Sequence, residues 1–90
     1  MTSANGKYAH AEGNCTTAIG ISSHSEGVLS VSRGEGSHAE GGATTASGIH
    51  SHAEGRNTNA THEASHAEGY STRSEANYGH AEGYSTVVLA

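Results

Sequence analysis

Small residues and larger polar residues alternate along this chain in a pattern that returns every 14 residues. Ser37–Gly41 reads Ser-His-Ala-Glu-Gly, and Thr44–Gly48, seven residues later, reads Thr-Thr-Ala-Ser-Gly. Residues two apart on a β-strand share a face. Each half therefore predicts a short strand that turns Ser or Thr, Ala and Gly toward one side and its other residues toward the opposite side. Because the shared side carries only small residues, it is expected to line a narrow interior.

The repeat has no insertion anywhere in the chain. Six of the eight histidines are spaced 14 residues apart, and we number each unit from them as position 1: His10, His24, His38, His52, His66 and His80. A fixed period of this kind is typical of a solenoid, whose repeats stack on their neighbours. Residues 1–9 fit the second half of a unit, so the pattern predicts one β-roll repeat domain over 1–90, with about six 14-residue repeats.

Each predicted coil contains two short strands and two turns, with a Gly closing each strand where positive φ or close backbone approach is needed. Parallel stacking at roughly 4.7–4.9 Å per coil predicts a rod roughly 30 Å long. A coiled-coil helix is excluded because the heptad positions hold Gly, Ser and Thr. Collagen is excluded because Gly does not recur at every third residue and Pro is absent.

The outward positions differ between the two halves of the unit. In the second half they vary from coil to coil, whereas in the first half they are His and Glu in all six units. We call the following set the His–Glu ladder: His10, Glu12, His24, Glu26, His38, Glu40, His52, Glu54, His66, Glu68, His80 and Glu82. A purely solvated face is expected to vary as the second half does, so the ladder is predicted to pack against another chain.

The repeat unit resembles the head repeats of trimeric autotransporter adhesins, the YadA-like head family. Thr16–Gly20 (Thr-Thr-Ala-Ile-Gly) is similar to that family's Ser-Val-Ala-Ile-Gly unit, and Ser-His-Ala-Glu-Gly also resembles a variant in phage tail-fibre repeats. The resemblance covers essentially all of 1–90. It implies an all-β, left-handed parallel β-roll and a homotrimer, in an extracellular fibre on a bacterial cell surface or a virion. It further implies that a host-surface or matrix receptor is a partner.

Composition and charge exclude several functional classes. Hydrophobic residues make up 32% of the chain, Phe and Trp are absent, and four Lys and Arg face nine Glu, for a net charge of −5. Without a basic stripe, nucleic acid is not an expected partner. No apolar run is long enough to span a membrane, and the N-terminal residues do not form a secretion signal. No catalytic residues are predicted, because no nucleophile stands beside a unique acid–base pair. No cofactor is predicted, and no resident metal either, because a structural zinc site needs a closed tetrahedral set of ligands rather than an open periodic array.

Three further features bear on recognition. Position 5 holds Arg56, Tyr70 and Tyr84 in successive units. They are predicted to form an exposed stacked patch in a turn, either for recognition or only to stiffen that turn. Cys15 is the one cysteine and is interpreted as a turn residue, and His50 and His62 lie outside the ladder.

The sequence therefore predicts a non-enzymatic, structural or adhesive segment of a trimeric surface fibre, which acts as a rigid display platform. The alternative is a metal- or ligand-binding module that uses the His–Glu ladder, because imidazole and carboxylate are common zinc ligands.

Overall fold

The computed structural model describes residues 1–89, and every regular element in that range is a β-strand. The strands in chain order are β1 Ser3–Ala4, β2 His10–Asn14, β3 Thr17–Ala18, β4 His24–Val28, β5 Val31–Ser32, β6 His38–Gly42, β7 Thr45–Ala46, β8 His52–Arg56, β9 Asn59–Ala60, β10 His66–Tyr70, β11 Arg73–Ser74, β12 His80–Tyr84 and β13 Val87–Val88.

The strands form two parallel sheets that face each other across a thin interior. The odd-numbered strands make a seven-stranded sheet and the even-numbered strands a six-stranded sheet, each in sequence order. Every pairing joins residues 14 apart, as in His38 with His52 and Thr45 with Asn59. The predicted parallel β-solenoid with 14-residue coils is thus confirmed, and the longest dimension is 30 Å.

The two halves of a coil are unequal, although the sequence predicts two similar strands. The first half forms a strand of five residues and the second a strand of two. In the second half, the amides of Ser47 and Gly48 both donate to the carbonyl oxygen of Ala60, at 2.8 and 3.4 Å. Because two successive amides share one acceptor, the regular series of backbone hydrogen bonds between strands stops there and the strand ends early.

The glycine at position 4 lies inside the longer strand, so the prediction that it closes the strand is wrong. Gly41 is the fourth residue of β6 and has φ of +108°, a value that L side chains rarely adopt. A Cβ on Gly41 would also overlap the carbonyl oxygen of Gly55 in the next coil. Glycine is therefore required here both by its own backbone angle and by the close approach of the coils.

Both turns of each coil form backbone hydrogen bonds with the turns of the adjacent coil. Positive φ falls at positions 6 and 13, for example 56° at Ala43 and 59° at His50. The Ala43 amide donates to the Val28 carbonyl and the His50 amide to the Glu35 carbonyl, both at 2.8 Å. Backbone pairing thus continues around the coil, which leaves few backbone groups that need solvent.

The interior contains only small side chains, as the alternation predicts. Seven alanines are fully buried: Ala18, Ala39, Ala46, Ala53, Ala60, Ala67 and Ala81. Buried Ser and Thr fill the remaining inward positions, and some bind the backbone, as when the Ser37 hydroxyl donates to the Gly34 carbonyl at 2.7 Å. No helix within residues 1–89 has the length and apolar character needed to cross a membrane.

We predict that Gly41→Ala destabilises the protein much more than Gly42→Ala. A Cβ at Gly41 meets the backbone of the next coil, whereas the nearest atom to a Cβ at Gly42 is the Arg56 Cγ at 3.9 Å. Thermal unfolding measured by circular dichroism should show a clear fall in melting temperature for the first variant and little change for the second. Equal melting temperatures would contradict the close approach of coils at position 4.

The inward column should not tolerate a larger side chain. Ala53 is fully buried, and overpacking a close-packed interior typically costs about 1–3 kcal/mol. Ala53→Leu is therefore expected to lower the free energy of unfolding by about that amount. Ser47→Leu, on the half-buried outward side of the second half, should have a much smaller effect. Chemical denaturation of both variants tests this, and a similar loss in both would reject the assigned alternation.

Candidate functional site

The His–Glu ladder lies on the outer face of the six-stranded sheet. Each of the six long strands begins at a ladder histidine and carries its glutamate two residues later. The residues on either side of His38, Ser37 and Ala39, are fully buried, since only small side chains fit the interior. The histidine and the glutamate must therefore point outward, and parallel register places each of them above its equivalent in the previous coil.

The ladder histidines form one continuous stack. Ring centroids of consecutive histidines are 4.6–4.8 Å apart. From His24 to His80 the ring planes differ by only 2–8°, whereas His10 is tilted by 42° against His24. The centroid spacing equals the spacing of parallel strands, so the backbone sets the separation of the rings.

Each glutamate of the interior coils lies between two histidines. The Oε1 atom of Glu26 is 3.5 Å from Nε2 of His24 in its own coil and 3.3 Å from Nε2 of His38 in the next. Glu40 makes the same pair of contacts with His38 and His52, at 3.9 and 3.5 Å. Imidazole nitrogens and carboxylate oxygens therefore alternate in a zigzag along the rod.

The ladder is partly shielded from solvent in a single chain. Side chains of its interior members, from His24 to Glu68, are 32–36% exposed. The Nε2 atoms of His24, His52 and His66 are shielded from solvent and make no well-formed hydrogen bond within residues 1–89, although ladder carboxylate oxygens lie 3.4–3.7 Å away. These nitrogens are enclosed by neighbouring ladder residues rather than directed at open water.

The pKa of His52 is lowered from its ordinary value. Burial is the main cause, because it penalises the charged imidazolium, and the charges of His66 and His38 above and below act in the same direction. Glu54 and Glu40 oppose the shift by attracting a proton to the ring. The neutral form of His52 is therefore favoured.

The ladder is also where residues 1–89 bring metal-ligating groups together. Five overlapping His–Glu–His sets each place three ligand atoms within 4.8 Å of one another: His10, Glu12, His24; His24, Glu26, His38; His38, Glu40, His52; His52, Glu54, His66; and His66, Glu68, His80. Each set is formed by two adjacent coils of one chain.

Arg56, Tyr70 and Tyr84 are the final residues of three consecutive long strands, so the predicted turn location is wrong by one residue. The rings of Tyr70 and Tyr84 are stacked, with centroids 5.1 Å apart and planes within 5°. The Arg56 guanidinium carbon is 5.7 Å from the centre of the Tyr70 ring. The three side chains thus form a contiguous column, and Tyr84 is 76% exposed.

Other chemically interesting residues lie apart from the ladder. Cys15 is exposed, His50 has positive φ in a turn, and His62 is an exposed residue whose Nδ1 is 2.9 Å from the Thr61 hydroxyl. The sequence analysis missed the ion pair between Arg73 Nε and Glu75 Oε2, at 2.7 Å. Their spacing of two residues on an outward strand face was the available signal.

Comparison of the sequence with protein-family models and with curated proteins found no match.

We predict that acidification destabilises the protein. With the folded pKa of His52 below the unfolded reference of about 6.5, the unfolded chain binds more protons in that range. Stability should therefore be greatest above about pH 6.5 and fall as the pH drops below it. Melting temperatures of the parent protein measured between about pH 8 and pH 5 test this, and a rise on acidification would instead indicate charged histidines paired with glutamates.

His52→Gln provides the matched variant for that experiment. It removes the ring whose folded pKa is lowered, so its melting temperature should depend less on pH than that of the parent. His50→Gln removes an exposed histidine outside the ladder and should retain the parent's pH dependence. The same pH dependence in all three proteins would show that the ladder does not cause the acid sensitivity.

Proposed function

We propose that this chain is a structural segment of a trimeric surface fibre similar to the YadA-like heads and phage tail fibres that its repeat resembles. One observation carries the proposal: an uninterrupted in-register solenoid that keeps one outward face the same in all six coils while the other varies. An outward face that is the same in every coil is suited to repeated contacts with other copies of the chain. An outward face that varies from coil to coil is suited to presenting different side chains to a receptor.

The backbone supports the role of a rigid spacer. Both sheets and both turns bond each coil to the next, so that bending the rod would stretch hydrogen bonds on one side. Non-glycine residues at the positive-φ turn positions further restrict the backbone angles that the turns can adopt. A rigid spacer of this kind needs no catalytic residue.

The thinness of the solenoid supports self-association. The chain measures 30 × 21 × 9 Å, and its fully buried side chains are no larger than threonine. Burying so little apolar surface per residue gives weak stabilisation to an isolated chain. A left-handed winding with three chains side by side, as in the family that the repeat resembles, would cover one broad face of each solenoid.

Within this proposal the His–Glu ladder lies at the contact between chains, where the part of each side chain that is still exposed becomes buried. The column of Arg56, Tyr70 and Tyr84 is the candidate surface for a host or matrix receptor. Tyr and Arg are enriched where binding energy is concentrated. The fibre would stand outside the cell, on a bacterial surface or on a virion.

The oligomeric state is the direct test. Sedimentation equilibrium at micromolar concentration should give a mass of about 27 kDa, three times the chain mass of 9.1 kDa. A stable folded monomer under these conditions would reject the trimer.

Two substitutions in one coil locate the contact. Glu40→Arg places a cation among the ladder histidines and should shift the mass toward the monomer, whereas Ser47→Arg on the opposite sheet should leave it unchanged. Circular dichroism would establish that both variants are folded. Dissociation by Ser47→Arg alone would place the interface on the variable face instead.

A further inference from the structure

We propose that the ladder binds divalent transition-metal ions such as Zn²⁺, and that it does so in alternating pairs of coils, with three ions on each chain. This inference does not rest on the trimer, because all three ligands of each ion come from one chain.

The ligand types and their spacing are those that zinc uses. Zinc binds imidazole nitrogen and carboxylate oxygen at about 2.0–2.2 Å, which sets the ligand–ligand edge of a tetrahedron at roughly 3.3–3.5 Å. The Nε2–Oε1 separations along the ladder are already 3.3–3.9 Å. Two of the three edges of each set therefore need little adjustment, and the fourth coordination position remains open to water.

The third edge joins the two histidine nitrogens and must shorten. All ligand atoms of a set lie within 4.8 Å of one another, so this edge has to contract by up to roughly 1.5 Å. Tilting the two rings toward each other achieves this without moving the strands. The rings of His10 and His24 are already inclined by 42°, which shows that the backbone permits such a tilt.

Sharing of histidines prevents all five sets from being filled together. Each interior histidine belongs to two sets, but Nε2 has one lone pair and a ring can tilt toward only one neighbour. Six ladder histidines at two per ion therefore accept three ions. The filled sets are His10, Glu12, His24; His38, Glu40, His52; and His66, Glu68, His80.

Charge balance leads to the same number. The ladder carries six carboxylates stacked in one column, and an imidazole that binds a metal ion does so in its neutral form. Three divalent cations neutralise six carboxylates. The glutamates that are not ligands are Glu26, Glu54 and Glu82. Glu26 and Glu54 then lie between successive ions and reduce the repulsion of the cations. Five divalent ions on the same ladder would carry more positive charge than the six carboxylates can neutralise, and neighbouring ions would be only one coil apart.

The test is a Zn²⁺ titration of the intact protein, followed by calorimetry and by metal analysis after equilibrium dialysis. Three ions per chain are expected, and the double variant His50→Gln, His62→Gln, which leaves the ladder intact, should also bind three. Binding of five or six ions per chain would overturn the pairing. Absence of binding at stoichiometric Zn²⁺ would overturn the site itself, whatever mass the protein has in sedimentation.

Two double variants of equal composition test the pairing directly. His38→Gln with His52→Gln leaves two adjacent pairs and should bind two ions. His24→Gln with His66→Gln leaves only His38 and His52 adjacent and should bind one. All four replaced side chains are outward and similarly exposed, at 32–36%. Equal stoichiometry in the two variants would show that each histidine binds independently and would reject paired sites.

Discussion

Backbone hydrogen bonding between coils that are 14 residues apart is the constraint on which this structure depends. Every strand pairs with the same segment of each adjacent coil, and the turns are hydrogen-bonded in the same way. An insertion or deletion of one residue would reverse the faces of all following side chains relative to the preceding coil. The small interior follows from this constraint, because coils this thin have room only for Ala, Ser, Thr and Gly.

The same constraint generates the ladder. Once equivalent residues are stacked at the strand spacing, any outward residue that is present in every coil becomes a one-dimensional array with a fixed step. For His and Glu the result is an array in which like groups stack along the rod and unlike groups alternate across it. Its behaviour is therefore collective: the protonation or ligation of one histidine changes the electrostatic environment of the coils above and below it.

Much of this architecture is readable from the sequence because the repeat is free of gaps. Period, parallel register, rod length and inward alanines such as Ala53 all follow from the alternation of small and polar residues. The unequal strand lengths do not follow, because they depend on two amides sharing the Ala60 carbonyl, a detail of backbone geometry. Gly41 has the positive φ and the close backbone approach that were expected of it, but the strand continues for one residue beyond it, which the repeat pattern does not reveal.

Among the candidate site residues, too, some features follow from the repeat and others depend on local geometry. Stacking of the ladder and of Tyr70 on Tyr84 follows from register alone, since equivalent positions must coincide. The location of position 5 at a strand end and the bridging of two histidines by one glutamate do not follow from register, because they depend on where the strand ends and on side-chain conformation. The ion pair of Arg73 with Glu75 occurs in a single coil, so the repeat pattern does not predict it.

The direction of the inter-coil hydrogen bonds has a mechanical consequence. They run along the rod axis, so tension applied at the two ends would load one coil interface at a time and peel coils from the end. Each coil advances the rod by about 4.8 Å. Its 14 residues span roughly 46–50 Å when extended. A rod that is stiff against bending is thus highly extensible under axial pull, because each released coil extends to about ten times the length it occupies in the rod.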